Sequence, residues 1–208
     1  MTPPATIFIV DDDPSVRTSL SRLLRASGFE VEAFVSGEAF FAREPFDGVG
    51  CVILDLRMPG VSGTELQQRL DDGSSDLPVI FLSGHGEVPD SVRAMKQGAV
   101  DFFTKPVDED VLLGAIALAL ERHAATRATR DEREAIQRRL DTLTAREREV
   151  LRHVVTGALN KQIAGHMGIA EGTVKVHRGR VMEKLGVQSV ADLVRLCDAA
   201  GEPWNPGT

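Results

Sequence analysis

Acidic side chains follow two apolar runs of the sequence, and their number and spacing could support metal-dependent phosphoryl chemistry. Asp11, Asp12 and Asp13 follow TIFIV, and Asp55 follows CVIL. Like charges at such short range repel and raise one another's pKa, so the cluster is costly unless a cation or a helix end absorbs the charge. Asp11 and Asp12 can hold Mg²⁺, which prefers oxygen ligands, while Asp55 supplies a nucleophilic oxygen. From the three successive aspartates alone, a solvated turn is the alternative.

Asp13 differs from its two neighbours because it immediately precedes Pro14. Proline is favoured at the first position of a helix, and aspartate is a favoured N-cap because its carboxylate accepts hydrogen bonds from free N–H groups of the first turn. We therefore predict that Asp13 caps a helix and does not bind the metal.

A hydroxyl and an ammonium complete the predicted pocket. Ser83 ends the apolar run PVIFLS, and Lys105 follows VDFFT directly before a proline. Both side chains can bind the oxygens of a phosphoryl group on Asp55. Each placement also has a structural explanation, since acids at strand ends can cap helices and a lysine before proline can be a solvated charge. Because Asp11, Asp12, Asp55, Ser83 and Lys105 are all predicted to lie at the ends of strands, their coincidence argues against that structural explanation.

Short apolar runs alternate with amphipathic segments through the first 120 residues, and these elements must position the pocket. The runs TIFIVD, EVEAFV, CVILD, PVIFLS and VDFFT are each followed by a helical segment. Five β/α units in sequence predict a doubly wound α/β fold with a five-stranded parallel sheet. Functional residues of such sheets lie outside the carboxyl ends of the strands, where the acids, Ser83 and Lys105 would converge.

A long helix is predicted after the fifth strand. Residues 121–141 are rich in Ala, Arg and Glu rather than in the Gly, Ser and Pro of flexible linkers. We predict a stiff helical linker over these residues that continues the fifth helix. Ile136, Leu140 and Leu143 have coiled-coil-like spacing, so dimerisation through this helix is an alternative.

The chain from Thr144 onward is predicted to be all helical, with a short helix, a turn and a longer basic helix at its centre. The basic helix carries Lys175, Arg178, Arg180 and Lys184. A positive helix can enter the major groove of DNA, where phosphate contacts fix the register and a few side chains meet base edges. A four-helix bundle with a solvated basic face is the alternative, which charge alone favours.

Charge and composition narrow the class of protein. Residues 1–120 carry 19 acidic and 9 basic side chains, a net charge of −10, whereas residues 121–208 carry 12 and 15, a net charge of +3. This asymmetry indicates two modules, although 208 residues also fit a single domain. Cys51 and Cys197 lack metal-like spacing, and no apolar stretch is long enough to span a bilayer. We expect a soluble cytoplasmic protein with free thiols and no membrane partner.

The motifs of the first module, taken in order, resemble the receiver domain of two-component response regulators. They are Asp11-Asp12 after the first strand, VILDLRMPG around Asp55, FLSGHG around Ser83 and DFFTKP around Lys105, over about residues 4–122. The resemblance implies that Asp55 is the phosphoacceptor, that Ser83 is the switch hydroxyl and that Lys105 binds the phosphoryl group.

The same resemblance implies Mg²⁺ as the cofactor. Asp11, Asp12, Asp55 and the backbone carbonyl of Arg57 would be its protein ligands. Phe102 matches the aromatic switch residue of the family, and a plain core phenylalanine is the alternative for it.

The second module resembles the LuxR-type helix-turn-helix domain over about residues 142–200, through LTAREREVL, NKQIAGHMGI and GTVKVHRGRVMEKLGV. The resemblance makes Asn160 to Met167 the scaffold helix and Glu171 to Leu185 the recognition helix. Lys175 and Val176 match base-contacting positions of the family. Gly179 stands where some relatives carry a base-reading lysine, so the base preferences of those relatives cannot be assigned to this protein. The full set of expected DNA contacts is Lys161, Thr173, Lys175, Val176, Arg178, Arg180 and Lys184.

The last helix, Ser189 to Ala200, is the usual dimer contact of this family, with Leu193, Val194 and Cys197 as candidate residues. Both modules and the long helix together resemble the FixJ/StyR branch of regulators. The expected organisation is a receiver domain at 1–120, a helical linker at 121–141, a DNA-binding domain at 142–201 and a loose tail at 202–208.

These resemblances imply a phosphorylation-controlled transcription regulator that is not an enzyme. A cognate histidine kinase would phosphorylate Asp55, and the phosphorylated homodimer would bind promoter DNA, with activation through RNA polymerase favoured over repression. One alternative is a phosphotransferase or haloacid-type hydrolase, although the sequence lacks a cap domain. Another is an interaction adaptor whose helix-turn-helix has lost DNA binding.

Overall fold

The computed structural model describes residues 4–70, 72, 75–84 and 88–201. The chain divides into two compact units, Met1–Arg127 and Ala128–Thr208, which we call the first and the second unit. The expected loose tail, residues 202–208, lies outside the described residues.

A five-stranded parallel sheet forms the centre of the first unit. Its strands are β1 (Thr6–Val10), β2 (Glu30–Phe34), β3 (Gly50–Leu54), β4 (Val79–Ser83) and β5 (Asp101–Thr104). They are arranged in the order β2-β1-β3-β4-β5, and every neighbouring pair is parallel. The predicted doubly wound α/β fold is therefore confirmed.

The register of the sheet brings the two acidic segments together. β1 and β3 pair up to Val10 and Leu54, so the next residues, Asp11 and Asp55, lie at adjacent strand ends. The strand order changes direction between these two strands, which is where ligand sites form in open α/β sheets.

Helices cover both faces of the sheet. They are α1 (Pro14–Ala26), α2 (Gly37–Phe41), α3 (Gly63–Arg69), α4 (Val88–Lys96) and the start of α5 (Glu109–Asp141). Strand side chains alternate between two buried clusters, one shared with α1 and α5 and the other with α2, α3 and α4. Each large apolar side chain buried there contributes roughly 1.5–3 kcal/mol. Within the described ranges, no helix combines the length and apolar character needed to cross a membrane.

The segment of α5 up to Arg127 belongs to the first unit, and it includes residues 121–127 of the predicted helical linker. His123 is 2% exposed, its Nδ1 accepts a hydrogen bond from the Gly50 N–H at 3.1 Å, and its Nε2 lies 3.2 Å from Asp76 Oδ1. The Arg127 guanidinium also donates to the Asp47 carbonyl at 3.1 Å. These contacts are between residues distant in sequence, so helical periodicity could not reveal them.

The second unit is all helical and includes the end of α5. Its other helices are α6 (Ala145–Val155), α7 (Asn160–Met167), α8 (Glu171–Leu185) and α9 (Val190–Ala200). Ile136, Leu140 and Leu143 are buried in the core of this unit. Their coiled-coil-like spacing is therefore explained by packing within one chain, and the alternative of dimerisation through these side chains loses its support.

Gly63 lets α3 begin against the backbone of Asp55. A Cβ at this position would lie 2.4 Å from the Asp55 carbonyl oxygen and 3.0 Å from the Phe81 ring. Ser62 caps α3, and its hydroxyl and the Glu65 carboxylate form a reciprocal capping box. The cap and the glycine together fix the loop that follows the phosphoacceptor candidate.

We predict opposite effects of the same substitution at two helical glycines. Gly63→Ala should lower the free energy of unfolding by about 1–3 kcal/mol, because the added methyl group overlaps backbone that is fixed by the sheet. Gly114→Ala should raise it by about 0.5–1 kcal/mol, because nothing lies within 4 Å of the added Cβ and alanine is the better helix former. Urea unfolding of both variants measures the two changes. Equal effects would contradict the close approach at Gly63.

Candidate functional site

Three carboxylates and one ammonium meet at the carboxyl edge of the sheet, and we call Asp11, Asp12, Asp55 and Lys105 the acidic pocket. One carboxylate oxygen from each aspartate lies within 4.8 Å of the other two. Asp11 and Asp55 are 2% and 8% exposed, whereas Asp12 is exposed. Two of the three carboxylates are thus buried, and the third is accessible to solvent.

Lys105 partly neutralises the pocket. Its Nζ lies 2.6 Å from Asp11 Oδ2 and 3.4 Å from Asp55 Oδ2. The other oxygen of Asp11 accepts the Asp13 N–H at 2.9 Å. One ammonium for three carboxylates leaves two negative charges, which is the charge that a divalent cation would balance.

Asp55 keeps an oxygen without a hydrogen bond. Burial raises the pKa of Asp55 above its usual value, Lys105 opposes this shift, and the Asp11 carboxylate adds to it. The Arg57 backbone N–H also lowers the pKa of Asp55, but the buried Oδ1 accepts no hydrogen bond of ordinary geometry from the described residues. An unpartnered buried oxygen is costly unless a cation or a reacting group uses it.

The donor set fits Mg²⁺. Its oxygen ligands lie about 2.0–2.1 Å from the ion, so two ligands of one ion are at most about 4.2 Å apart. Three ligands of an octahedral ion include at most one such opposite pair, and adjacent ligands are about 2.9 Å apart. The three carboxylate oxygens lie within 4.8 Å of one another and therefore need to approach by up to about 2 Å to share one ion. Side-chain rotation at the exposed Asp12 can supply this movement. The predicted contribution of the Arg57 carbonyl stays a prediction.

Ser83 and Phe102 lie next to the pocket on β4 and β5. Ser83 is 1% exposed, and its carbonyl accepts the Lys105 N–H at 2.9 Å, which fixes the backbone of both residues. Phe102 pairs with Phe81 across the strands, and the two ring centroids lie 6.0 Å apart. The Phe102 ring is only partly buried and packs against the buried cluster that the sheet shares with α2, α3 and α4.

Two contributors to the pocket were not found from the sequence. Arg17 on α1 donates from Nη1 to the Asp11 carbonyl at 2.6 Å and holds the end of β1. Gly63 allows α3 to approach Asp55. The capping-box spacing of Ser62 and Glu65 could have located the start of α3, whereas nothing in the spacing of Arg17 indicates its partner. Asp13 does cap α1, because its Oδ1 accepts the Ser15 N–H at 2.7 Å.

The second unit contains a helix-turn-helix formed by α7 and α8. Gly168, with φ +64°, ends α7 in the left-handed conformation and allows the chain to enter α8 after two more residues. Lys175 and Val176 are exposed on α8. Of the other expected DNA contacts, Lys161, Thr173 and Arg180 are also exposed. Arg178 is partly buried and donates to Asn160 Oδ1 at 3.0 Å, which connects the two helices.

Lys184 is exposed as well, with 34% of its side chain accessible, but its ammonium is paired within the unit. Its Nζ lies 2.6 Å from Glu147 Oε2 and donates to the Thr142 carbonyl at 3.0 Å. Its charge is therefore engaged by α6 and by the segment before α6. Whether it also reaches DNA stays a prediction that this geometry does not favour.

Two of the three expected dimer contacts are core residues. Leu193 and Cys197 are 0% and 2% exposed and lie in the buried cluster of the second unit. Val194 is partly exposed. The spacing of these residues reflects the inward face of α9, so only Val194 can contribute to a contact on the outer surface in this conformation.

Comparison with known proteins gives consistent matches for both units. Residues 7–117 match the response regulator receiver domain family, and residues 141–197 match the family of bacterial regulatory proteins named for LuxR. The chain is 44% identical to the response regulator protein TodT of Pseudomonas putida over 93% of this chain and 86% of TodT. It is 45% identical to the transcriptional regulatory protein FixJ of Rhizobium meliloti over 94% of this chain and 96% of FixJ. Among solved structures, the response regulator StyR superposes with a TM-score of 0.85 at 47% identity, covering 94% of this chain and 98% of StyR.

Replacement of one aspartate of the pocket should weaken Mg²⁺ binding, whereas replacement of its neighbour should not. We expect Asp12→Asn to lower the Mg²⁺ affinity by about tenfold or more, because it removes a charged ligand of a site with few protein ligands. Asp13→Asn should leave the affinity unchanged, because Asp13 faces the first turn of α1. Isothermal titration calorimetry with MgCl₂ compares the two. A loss in Asp13→Asn of similar size would show that the division between metal ligand and helix cap is wrong.

The buried carboxylate of Glu147 predicts an acid-sensitive second unit. Hydrogen bonds from Lys184 and Thr144 lower the pKa of Glu147 from 4.5 to about 2. Since the folded-state pKa is depressed, the stabilisation is present above about pH 4.5 and is lost as the pH falls toward 2. Urea midpoints of the wild type and Glu147→Gln should therefore differ at pH 7 and converge across this range. A difference that is independent of pH would contradict the assignment.

Proposed function

The chain belongs to the two-component response regulators that join a receiver domain to a LuxR-family DNA-binding domain, and we propose that phosphorylation of Asp55 controls its binding to promoter DNA. The family consists of transcription regulators rather than enzymes. Membership of this family argues against the alternative of a phosphotransferase or hydrolase. The observation that carries the proposal is the Asp55 carboxylate, which lies beside Lys105 with one buried oxygen free of hydrogen bonds among the described residues.

The acidic pocket supports transfer of a phosphoryl group to Asp55. An Asp55 oxygen attacks phosphorus, the bond to the histidine nitrogen of the kinase breaks, and an acyl phosphate forms. Mg²⁺, when bound by Asp11, Asp12 and Asp55, would offset negative charge on the transferred group. Lys105 is already within 3.4 Å of Asp55 and can bind a phosphoryl oxygen by a short movement of its ammonium.

Ser83 and Phe102 would transmit the modification to the surface. A phosphoryl oxygen on Asp55 accepts a hydrogen bond from the Ser83 hydroxyl, and the space that Ser83 leaves is filled by the Phe102 ring. Phosphorylation shifts this equilibrium only by its differential affinity for the two conformers. Because Phe102 has no hydroxyl group, packing alone would favour its inward state.

Dimerisation would couple this change to DNA binding. Helices α4 and α5 both expose large apolar side chains: Val92 and Met95 on α4 are 46% and 45% exposed, and Val111 on α5 is 51% exposed. These side chains would contribute to the association surface of the phosphorylated receiver domain. A second contact in the DNA-binding domain would use Val194 of α9.

In the DNA complex, α8 would lie in the major groove. Lys175 and Val176 would meet base edges, and Lys161, Thr173, Arg178 and Arg180 would contact phosphates. A dimer would bind two half-sites about 34 Å apart or a multiple of that distance. We further propose a cytoplasmic location, where a histidine kinase, promoter DNA and RNA polymerase are accessible, and activation rather than repression.

A DNA titration with and without a phosphodonor tests the proposal. Acetyl phosphate should increase both dimerisation and affinity for a duplex that the protein selects from random DNA. Asp55→Ala should abolish phosphoryl labelling and this response, while Asp13→Asn should retain both. Equal affinity and oligomeric state with and without acetyl phosphate would overturn control by phosphorylation. An affinity that does not depend on salt would favour an adaptor that has lost DNA binding.

A further inference from the structure

Lys184 is the basic residue of α8 whose charge has a buried partner. The Glu147 side chain is only 3% exposed, and its Oε2 lies 2.6 Å from Lys184 Nζ. Glu147 also accepts the Thr144 N–H at 2.9 Å, which completes the capping box of α6. The Lys184 side chain is 34% exposed, so removing Glu147 would leave an ammonium that water can reach, whereas removing Lys184 would leave the Glu147 carboxylate with little access to water. Loss of the lysine is therefore the costlier change.

The segment that joins α5 to α6 contacts the end of α8 at more than one point. Lys184 Nζ donates to the Thr142 carbonyl at 3.0 Å, and Arg139 Nη1 donates to the Leu185 carbonyl at 3.5 Å. Leu185 itself is fully buried. The last turn of α8 is therefore held by α5, by the α5–α6 connection and by the first turn of α6.

We propose that Lys184 positions the recognition helix α8 for base contacts and does not itself contact DNA, an inference that rests on the proposed DNA-binding function. Lys184 precedes Leu185, the last residue of α8, whereas Lys175 and Val176 lie near its beginning. Fixing the far end of the helix fixes the direction in which these two side chains point.

Helix geometry shows why this anchoring matters. Lys175 and Lys184 are nine residues apart, so they are separated by about 13.5 Å along the helix axis. A tilt of about 10° at the anchored end would move Lys175 by about 2 Å over that length. Hydrogen bonds to base edges do not tolerate a displacement of this size, whereas longer-range attraction to phosphates does.

Two lysine-to-glutamine variants separate positioning from phosphate contact. The full-length protein, treated with acetyl phosphate, is titrated with the duplex selected by the wild type and with a scrambled duplex of the same composition, at several salt concentrations. Lys161→Gln, at an exposed phosphate-contact candidate, should weaken both duplexes by a similar factor and reduce the salt slope by about 0.9. Lys184→Gln should lower the affinity for the selected duplex by roughly tenfold, about the effect of one mismatched base pair, and leave the salt slope unchanged.

Glu147→Gln provides the decisive second variant. Glutamine can still accept the Thr144 N–H in the capping box, but it removes the negative partner and frees the Lys184 ammonium. Positioning predicts that Glu147→Gln loses preference for the selected duplex as Lys184→Gln does. A phosphate contact predicts unchanged or tighter binding to both duplexes with a steeper salt dependence, which would overturn the inference.

A conservative replacement and a folding control complete the experiment. Lys184→Arg should recover most of the preference, because arginine can pair with Glu147. If the substitution only destabilised the fold, the folded fraction would fall and binding to both duplexes would weaken equally. Circular dichroism under the same conditions would detect this outcome, which would also overturn the inference. If the wild type selects no duplex at all, the proposed DNA-binding function fails, and not only the role of Lys184.

Discussion

Electrostatic repulsion between the carboxylates of Asp11, Asp12 and Asp55 is the constraint on which the first unit depends. Parallel strands in register deliver Asp11 and Asp55 to neighbouring strand ends, and Lys105 arrives from β5 with one ammonium. The pocket keeps an excess of negative charge and an unpartnered Asp55 oxygen among the described residues. An excess of negative charge of this kind favours a divalent cation, which would in turn offset the negative charge of a phosphoryl group on Asp55.

The second unit also pairs a buried carboxylate with a lysine, but this pair has a structural role. Glu147 and Lys184 form a one-to-one ion pair, and further hydrogen bonds satisfy the carboxylate. A balanced pair leaves no charge for a ligand and instead holds the last turn of α8. Each unit thus places a lysine beside a buried acid, Lys105 in the first unit and Lys184 in the second. In the first unit the three carboxylates carry more negative charge than the one lysine balances, whereas in the second unit one carboxylate and one lysine balance each other. This difference in charge distinguishes the proposed reactive site from the proposed structural anchor.

Helix α5 shows how helical periodicity can identify an element without identifying its partners. Its sequence predicted one long helix, and the helix extends from Glu109 to Asp141. His123 nevertheless packs into the first unit, and Ile136 and Leu140 pack into the second. Their contacts depend on Gly50, on Asp76 and on the helices of the second unit, all of which are distant in sequence. A linker inferred from composition alone therefore included residues that each unit needs for its core.

The sequence by itself determined the parallel α/β sheet, the acids and the lysine at its carboxyl edge and the helix cap at Asp13, while the bounds of α7 and α8 followed from the resemblance to a LuxR-type domain. The sheet, the pocket residues and the cap depend on the alternation of strands and helices along the chain and on local hydrogen bonding, which are properties of neighbouring residues. Only the tertiary structure decided that Leu193 and Cys197 face the core and that Gly63 must accommodate the Asp55 backbone. It also decided that the ammonium of Lys184, although exposed, pairs with the buried carboxylate of Glu147. The side of a helix that a charged residue occupies follows from what the helix packs against, and a single sequence does not contain that information in its spacing.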